Sequence, residues 1–129
     1  MDAALPILLV VEDDRTLRRI LCESLSPVCD PLGAGTCAAA RAAVKKSRAK
    51  FGLLDYNLPD GTGLRLLEDL RGIVPEFRAM LLSGAEPPLP RAGTLPPGLV
   101  AALGKPIGLQ PLLAAVRRRC CCFLVWASA

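Results

Sequence analysis

Short, continuous apolar runs alternate along the chain with longer segments of helical periodicity, and this alternation limits the possible folds more than any other feature. Successive apolar residues in so short a run are typical of a strand that is buried on both faces of a parallel sheet. The clearest runs span residues 7–11, 51–55, 79–82 and 99–103. The helical segments between and after them span residues 15–25, 37–49, 64–73 and 109–122.

Strands that alternate with helices predict an α/β fold made of strand–helix–strand units. We expect a flavodoxin-like, doubly wound sheet of five parallel strands in the order 2-1-3-4-5, with helices on both faces. The second strand, at about residues 31–36, is weak because Pro31, Gly33 and Gly35 interrupt it. The fourth helix is predicted to be short or irregular, because five prolines fall within residues 87–97.

Length and composition indicate one globular domain. The 129 residues are 52% hydrophobic, which suits a single core over residues 1–129, with an apolar tail at 120–129 whose order the sequence does not decide. The net charge of +4 comes without a basic stripe interleaved with aromatic residues, so we expect no nucleic-acid binding through this chain. No apolar run is long enough to span a membrane, and we expect a cytoplasmic protein without membrane contact.

Residue types exclude several kinds of site. The chain has no histidine, which excludes histidine metal ligands, a Ser-His-Asp triad and a histidine phosphoacceptor. The six cysteines form no C-x-x-C pair, so free thiols in a reducing compartment are predicted. The consecutive residues Cys120 to Cys122 leave two interpretations open, an acylated or membrane-contacting end and an ordinary apolar helix end.

The predicted strands end in chemically active residues. Glu12 and Asp13 follow the first strand, Asp55 ends the third, Ser83 ends the fourth and Lys105 follows the fifth. The carboxyl ends of parallel strands share one edge of the sheet, where α/β folds bind their ligands. Three neighbouring carboxylates repel one another, and a hard cation such as Mg²⁺ relieves that repulsion. A carboxylate is also a competent nucleophile toward phosphorus, so the set matches Mg²⁺-assisted phosphoryl transfer to aspartate.

Four segments, in this order, resemble the receiver domains of bacterial two-component systems. The resemblance covers nearly the whole chain, and it is carried by Ile7 to Asp14, Leu53 to Gly63, Leu82 to Ala85, and Lys105 to Pro106. It implies that Asp55 is the phosphoacceptor. It also implies that Glu12, Asp13, Asp55 and the backbone carbonyl of Asn57 hold Mg²⁺.

The resemblance further implies that Ser83 is a switch hydroxyl, that Lys105 pairs with the phosphoryl group and that Pro106 follows in the cis form. Receivers commonly carry an aromatic switch residue three positions before the lysine, where this chain has Ala102. That departure and the proline-rich segment 87–97 both fall on the face that usually reports phosphorylation to partners. Phosphorylation can therefore be retained while the output is altered.

A receiver would take its phosphoryl group from a sensor histidine kinase, a phosphotransfer protein or a small donor such as acetyl phosphate. It would then bind a downstream effector protein, and a homodimer is left open. Such a module is not an enzyme in the usual sense, because it catalyses only its own phosphorylation and dephosphorylation. The alternatives are a pseudo-receiver that binds partners constitutively and an Asp-dependent phosphohydrolase of the haloacid-dehalogenase kind.

Three acidic or turn residues near the site have simpler interpretations. Asp14 is expected to be a solvated neighbour or a cap of the following helix. Asp60 and Gly61 are interpreted as turn residues without a chemical role.

Overall fold

The fold is taken from a computed structural model of the chain, which describes residues 5–84, 95–105 and 108–118. The strands are β1 (Ile7–Val11), β2 (Asp30–Ala34), β3 (Phe51–Asp55), β4 (Asn57–Leu58), β5 (Gly61–Thr62), β6 (Arg78–Ser83) and β7 (Leu99–Gly104). The helices are α1 (Arg15–Leu25), α2 (Cys37–Ser47), α3 (Gly63–Ile73) and α4 (Leu109–Val116).

Five of the strands form one parallel sheet in the order β2-β1-β3-β6-β7. Counted along the chain without the short pair β4 and β5, this is the predicted order 2-1-3-4-5, and the fold class is confirmed. Residues 85–94, which hold most of the predicted irregular fourth helix, lie outside the described residues. Pro106 and the tail at 120–129 lie outside them as well.

The sheet separates two hydrophobic cores, because successive side chains of a strand point to opposite faces. Leu9, Val11 and Leu54 pack with buried residues of α2 and α3. Leu8, Val10 and Leu53 pack on the other face with buried residues of α1 and α4. Both faces of the central strands are therefore covered, which explains why β1 and β3 appear in the sequence as continuous apolar runs.

Side-chain caps begin three of the helices. Asp14, Thr36 and Thr62 each accept a hydrogen bond from a backbone N–H in the first turn of α1, α2 and α3. Such caps satisfy amides that have no partner inside the helix. The interpretation of Asp14 as a helix cap is confirmed.

The weak second strand does form. Asp30–Ala34 pairs with β1 over five residues, including Pro31 and Gly33. Within the described sheet β2 is an edge strand, so it has a hydrogen-bonded neighbour on one side only, and an edge position tolerates the missing donor of a proline. Between β3 and α3, β4 pairs with β5 in a small antiparallel hairpin.

Within residues 5–84, 95–105 and 108–118, no helix combines the length and the apolar character that crossing a bilayer requires. Cys22, Cys29 and Cys37 form no disulfide within the part of the chain that the structure describes, in agreement with the predicted thiols. The other three cysteines lie outside the described residues.

Candidate functional site

The carboxyl edge of the sheet brings together residues from four strand ends. Backbone hydrogen bonds fix two of them, since the Glu12 N–H donates to the Ala34 carbonyl at 3.0 Å and the Lys105 N–H donates to the Ser83 carbonyl at 2.7 Å. Asp55 is the last residue of β3 and pairs in register with Leu82. The sheet thus places Glu12, Asp55, Ser83 and Lys105 at or directly after strand ends on one edge.

Glu12, Asp13 and Asp55 form an acidic cluster. One carboxylate oxygen of each lies within 4.8 Å of the others. Glu12 is only 2% exposed and Asp55 only 7% exposed, whereas Asp13 is exposed to solvent. Buried like charges at this separation need a compensating cation, and the open side at Asp13 leaves water access for an ion that keeps part of its hydration shell.

Lys105 supplies the compensating charge. Its Nζ donates to Oε1 of Glu12 at 2.7 Å and lies 3.1 Å from Oδ1 of Asp55. Burial by itself lowers the pKa of Lys105, but the hydrogen bonds to Glu12 and then to Asp55 outweigh burial and raise that pKa above its ordinary value. The ammonium therefore remains charged between the two buried carboxylates.

Both carboxylate oxygens of Glu12 are engaged. Oε1 accepts from Lys105, and Oε2 accepts from the Asp14 N–H at 3.2 Å. The backbone carbonyl of Glu12 accepts from Nη1 of Arg18 at 2.7 Å. Arg18, on α1, therefore holds the turn after β1, and sequence reasoning did not single it out because the spacing of α1 marks only its apolar face.

Ser83 and Asn57, two further residues predicted for the site, lie on strands that follow β3 along the chain. Ser83 is the buried last residue of β6, with 4% of its surface exposed, and pairs in register with Gly104. Asn57 begins β4, two residues after Asp55, and its side chain is exposed. Ala102, which stands where receivers commonly have an aromatic residue, is exposed on β7.

The donor set fits Mg²⁺. The three carboxylates of the cluster offer only oxygen atoms as ligands, and Mg²⁺ prefers oxygen ligands. The cluster combines two buried carboxylates with one exposed carboxylate, so protein ligands and water can share the shell. The sequence prediction of Glu12, Asp13 and Asp55 as neighbours agrees with this geometry.

Gly63 allows α3 to begin directly against the acidic cluster. A Cβ on Gly63 would collide with the backbone carbonyl of Asp55 and would lie 2.7 Å from Cδ1 of Leu81. The Gly63 N–H donates to the Tyr56 carbonyl at 2.8 Å, and the Tyr56 N–H donates to the Leu82 carbonyl at 2.7 Å. These two hydrogen bonds hold the first residue after Asp55 next to the start of α3 and next to β6.

Asp60 attaches the tip of the same segment to α2. Its Oδ1 accepts from the Cys37 N–H at 2.7 Å, and its Oδ2 accepts from the Ala38 N–H at 3.1 Å. These two bonds hold the pKa of Asp60 below its ordinary value. Burial, followed by the contact with Asp60, raises the pKa of the Cys37 thiol to about 11.

The sequence interpretation of Asp60 as a turn residue missed this contact. The only sequence signal was indirect: a predicted helix beginning at Cys37 has backbone amides that need acceptors. Nothing in the spacing indicates that an acid 23 residues away supplies them.

Comparison with known proteins gives a consistent result. The sequence model of the family described as "Response regulator receiver domain" matches residues 8–117. The photosynthetic apparatus regulatory protein RegA of Rhodovulum sulfidophilum is 30% identical over 112 residues, which cover 86% of this chain and 61% of RegA. The transcriptional regulatory protein PmrA of Pectobacterium parmentieri is 34% identical over 113 residues, covering 85% of this chain and 50% of PmrA.

This chain therefore spans about half to three fifths of the length of these relatives. Among solved structures, a CheY-like response regulator receiver domain protein from Methanospirillum hungatei superposes with a TM-score of 0.81 at 23% identity. That match covers 90% of this chain and 94% of the other. At this identity the superposition supports the fold alone.

Proposed function

The chain belongs to the response regulator receiver domain family, and on that premise we propose that it is a phosphorylation switch with Asp55 as its phosphoacceptor. One observation carries the assignment. Asp55 is a buried carboxylate with an oxygen within 4.8 Å of carboxylate oxygens of Glu12 and Asp13, and the ammonium of Lys105 lies 3.1 Å from it. An acid in that position can act as a nucleophile while neighbouring groups balance the charge of the incoming phosphoryl group.

Phosphorylation of Asp55 needs a new bond between a carboxylate oxygen and phosphorus. The bond from phosphorus to the donor breaks, and the donor's histidine nitrogen or acetate oxygen leaves with the electron pair. In this proposal Glu12, Asp13, Asp55 and the Asn57 carbonyl hold Mg²⁺, which neutralises charge on the phosphoryl oxygens when it is bound.

Lys105 and Ser83 would respond to the new group. Lys105 now bridges Glu12 and Asp55, and a phosphoryl group on Asp55 offers it a more highly charged partner. The Ser83 hydroxyl stands at the end of the adjacent strand and would donate to a phosphoryl oxygen. Such local changes of charge shift a two-state equilibrium and so alter the affinity for a partner.

The proposal implies partners on the input side and on the output side of the switch. We expect a sensor histidine kinase, a phosphotransfer protein or a small phosphodonor on the input side and an effector protein on the output side, all in the cytoplasm. The relative PmrA is a transcriptional regulatory protein twice as long as the matched region. A longer protein that contains this domain could therefore contact nucleic acid through other segments, whereas this chain catalyses only its own phosphorylation and dephosphorylation.

Intact mass measured after incubation with acetyl phosphate and Mg²⁺ tests the proposal. We expect one phosphoryl adduct in the wild type and in Asp30→Asn, whose exposed acid lies at the opposite edge of the sheet. We expect none in Asp55→Asn and none when Mg²⁺ is withheld. An adduct that persists in Asp55→Asn would contradict the assignment of the phosphoacceptor.

The second candidate is a pseudo-receiver that binds its partners without phosphorylation. The small exposed side chain of Ala102 favours it, because an aromatic switch residue is missing there. A wild-type protein that stays folded yet forms no adduct would select this candidate.

A further inference from the structure

The hairpin formed by β4 and β5 follows Asp55 directly and carries Asn57. It is held together by only two paired positions, Asn57 with Thr62 and Leu58 with Gly61. A two-stranded hairpin is marginally stable by itself even when it is longer. The position of Asn57 therefore depends on what holds the hairpin from outside.

The base and the tip of the hairpin are held separately. At the base, the Gly63 N–H donates to the Tyr56 carbonyl, and Leu58 packs against the core on the α2 and α3 side. At the tip, Asp60 accepts the N–H groups of Cys37 and Ala38. The tip is thus attached to the first turn of α2 rather than to the sheet.

The start of α2 belongs to the same rigid frame as Glu12. The Ala34 carbonyl, at the end of β2, accepts the Glu12 N–H at 3.0 Å. Three residues later α2 begins at Cys37, whose N–H binds Asp60. Asp60 consequently fixes the hairpin relative to the strand end that carries Glu12.

We propose that Asp60 is a positioning residue of the metal site: it holds the hairpin so that the backbone carbonyl of Asn57 stays aligned with Glu12 and Asp55. The inference rests on the proposed function, because it concerns the Mg²⁺ that Glu12, Asp13 and Asp55 would share. Asp60 itself does not touch the metal. Its effect is to restrict the positions that the hairpin can adopt, so that the Asn57 carbonyl needs less ordering when the metal binds.

The alternative is that Asp60 only caps α2, and Thr36 offers a matched control for that purely structural role. Thr36 already caps α2, since its Oγ1 accepts from the Ala39 N–H at 3.0 Å. Thr36→Ala removes a cap from the same helix end but leaves the hairpin attached. Asp60→Ala removes acceptors from the same helix end and also releases the hairpin. Asp60→Asn is intermediate, because its amide offers one oxygen where the carboxylate offers two.

Mg²⁺ titration by calorimetry on the full chain separates the two roles. We expect the dissociation constant for Mg²⁺ to rise about threefold to tenfold in Asp60→Ala. This is at or below the lower end of the roughly tenfold to hundredfold losses seen when outer partners of metal ligands are removed, because Asp60 acts through the hairpin. Asp60→Asn should show a smaller rise. Thr36→Ala should lower the unfolding midpoint yet keep the wild-type affinity for Mg²⁺.

Hydrogen exchange gives a readout that needs no metal. Amides of residues 57–62 should exchange faster in Asp60→Ala than in Thr36→Ala, while amides of β1 and β3 should remain protected in both. Equal Mg²⁺ affinities in Asp60→Ala and the wild type, or an equal loss in Thr36→Ala, would overturn the positioning role. Failure of the wild type to bind Mg²⁺ at all would instead contradict the proposed function on which this role rests.

Discussion

The ammonium of Lys105 lies 2.7 Å from a carboxylate oxygen of Glu12, although the two residues are 93 positions apart in the chain. The same ammonium reaches Asp55 at 3.1 Å. The lysine thus balances the charge of two carboxylates that a bound metal cation would also contact. Its contribution to the fold and the affinity of the site for a metal are therefore coupled.

Replacing Lys105 with methionine should move these two properties in opposite directions. Without the ammonium, two buried carboxylates lose their counter-charge, and we expect the free energy of unfolding in metal-free buffer to fall by about 2 kcal/mol, less than for a fully buried pair. The expected loss of stability is smaller than that of a fully buried pair because a quarter of the Lys105 side chain is exposed to solvent. Mg²⁺ should stabilise the variant more than the wild type, since the ion no longer competes with a cation.

Urea denaturation with and without Mg²⁺ measures both effects of Lys105→Met. Lys50→Met, which removes an exposed lysine at the other edge of the sheet, is the matched control and should change neither quantity. A Lys105→Met protein as stable as the wild type without metal would show that the lysine does not balance the carboxylates.

Two glycines of α3 should respond oppositely to the same substitution. Gly63→Ala places a methyl group against the Asp55 carbonyl, and the backbone shift it forces should cost about 2 kcal/mol or more. A Cβ on Gly72 would have no atom within 4 Å apart from its chain neighbours and the backbone of its own helix, so Gly72→Ala should stabilise the helix by about 0.5–1 kcal/mol. Thermal or chemical unfolding of the two variants tests this prediction. A loss of stability in both variants would contradict it.

The end of α2 carries avoidable strain. Arg48 has a φ of 58° in the left-handed region, which non-glycine residues adopt at a cost. Arg48→Gly should therefore stabilise the fold by about 1 kcal/mol, after allowance for the greater freedom of glycine in the unfolded chain. Arg48→Ala removes the same charge but keeps the strain, so its unfolding midpoint should stay close to that of the wild type.

The hydrogen bonds of Asp60 predict a pH dependence. The amides of Cys37 and Ala38 lower the pKa of Asp60 in the folded chain below the ordinary value of 3.8. A carboxyl group with a lowered folded pKa stabilises the fold above its unfolded pKa, and that contribution is lost as the pH falls through the folded pKa. The difference in urea midpoint between wild type and Asp60→Asn should be constant from pH 6 to 8 and should shrink below about pH 4. A difference that widens in acid would contradict this account.

Sequence reasoning was most accurate for strands that are buried on both faces. The bounds of β1 and β3 agree with the predicted segments 7–11 and 51–55, because a strand covered on both faces has an unbroken apolar pattern. The bounds of α1 also agree with the predicted segment 15–25. It was least certain at β2, where Pro31 and Gly33 weaken the local preference. Pairing with β1 along the whole strand compensates for that weakness, and such long-range pairing leaves no local signal.

The same distinction applies to the candidate site. The rule that ligands bind at the carboxyl ends of parallel strands was enough to bring Glu12, Asp55, Ser83 and Lys105 together. The contacts of Arg18 with the Glu12 carbonyl and of Asp60 with α2 were not predicted. Both contacts depend on the backbone conformation of a turn, and the spacing of residues along the sequence does not specify that conformation.

The long separation between Glu12 and Lys105 also has a consequence for biosynthesis. Glu12, which follows β1, and Asp55, which ends β3, are synthesised before Lys105, which follows the edge strand β7. Contacts between residues so distant in sequence form late, because the chain between them must first be ordered. A nascent or truncated chain that stops before residue 105 therefore lacks the ammonium that pairs with Glu12 and Asp55. The charge balance at this edge is consequently complete only when β7 and Lys105 have joined the sheet.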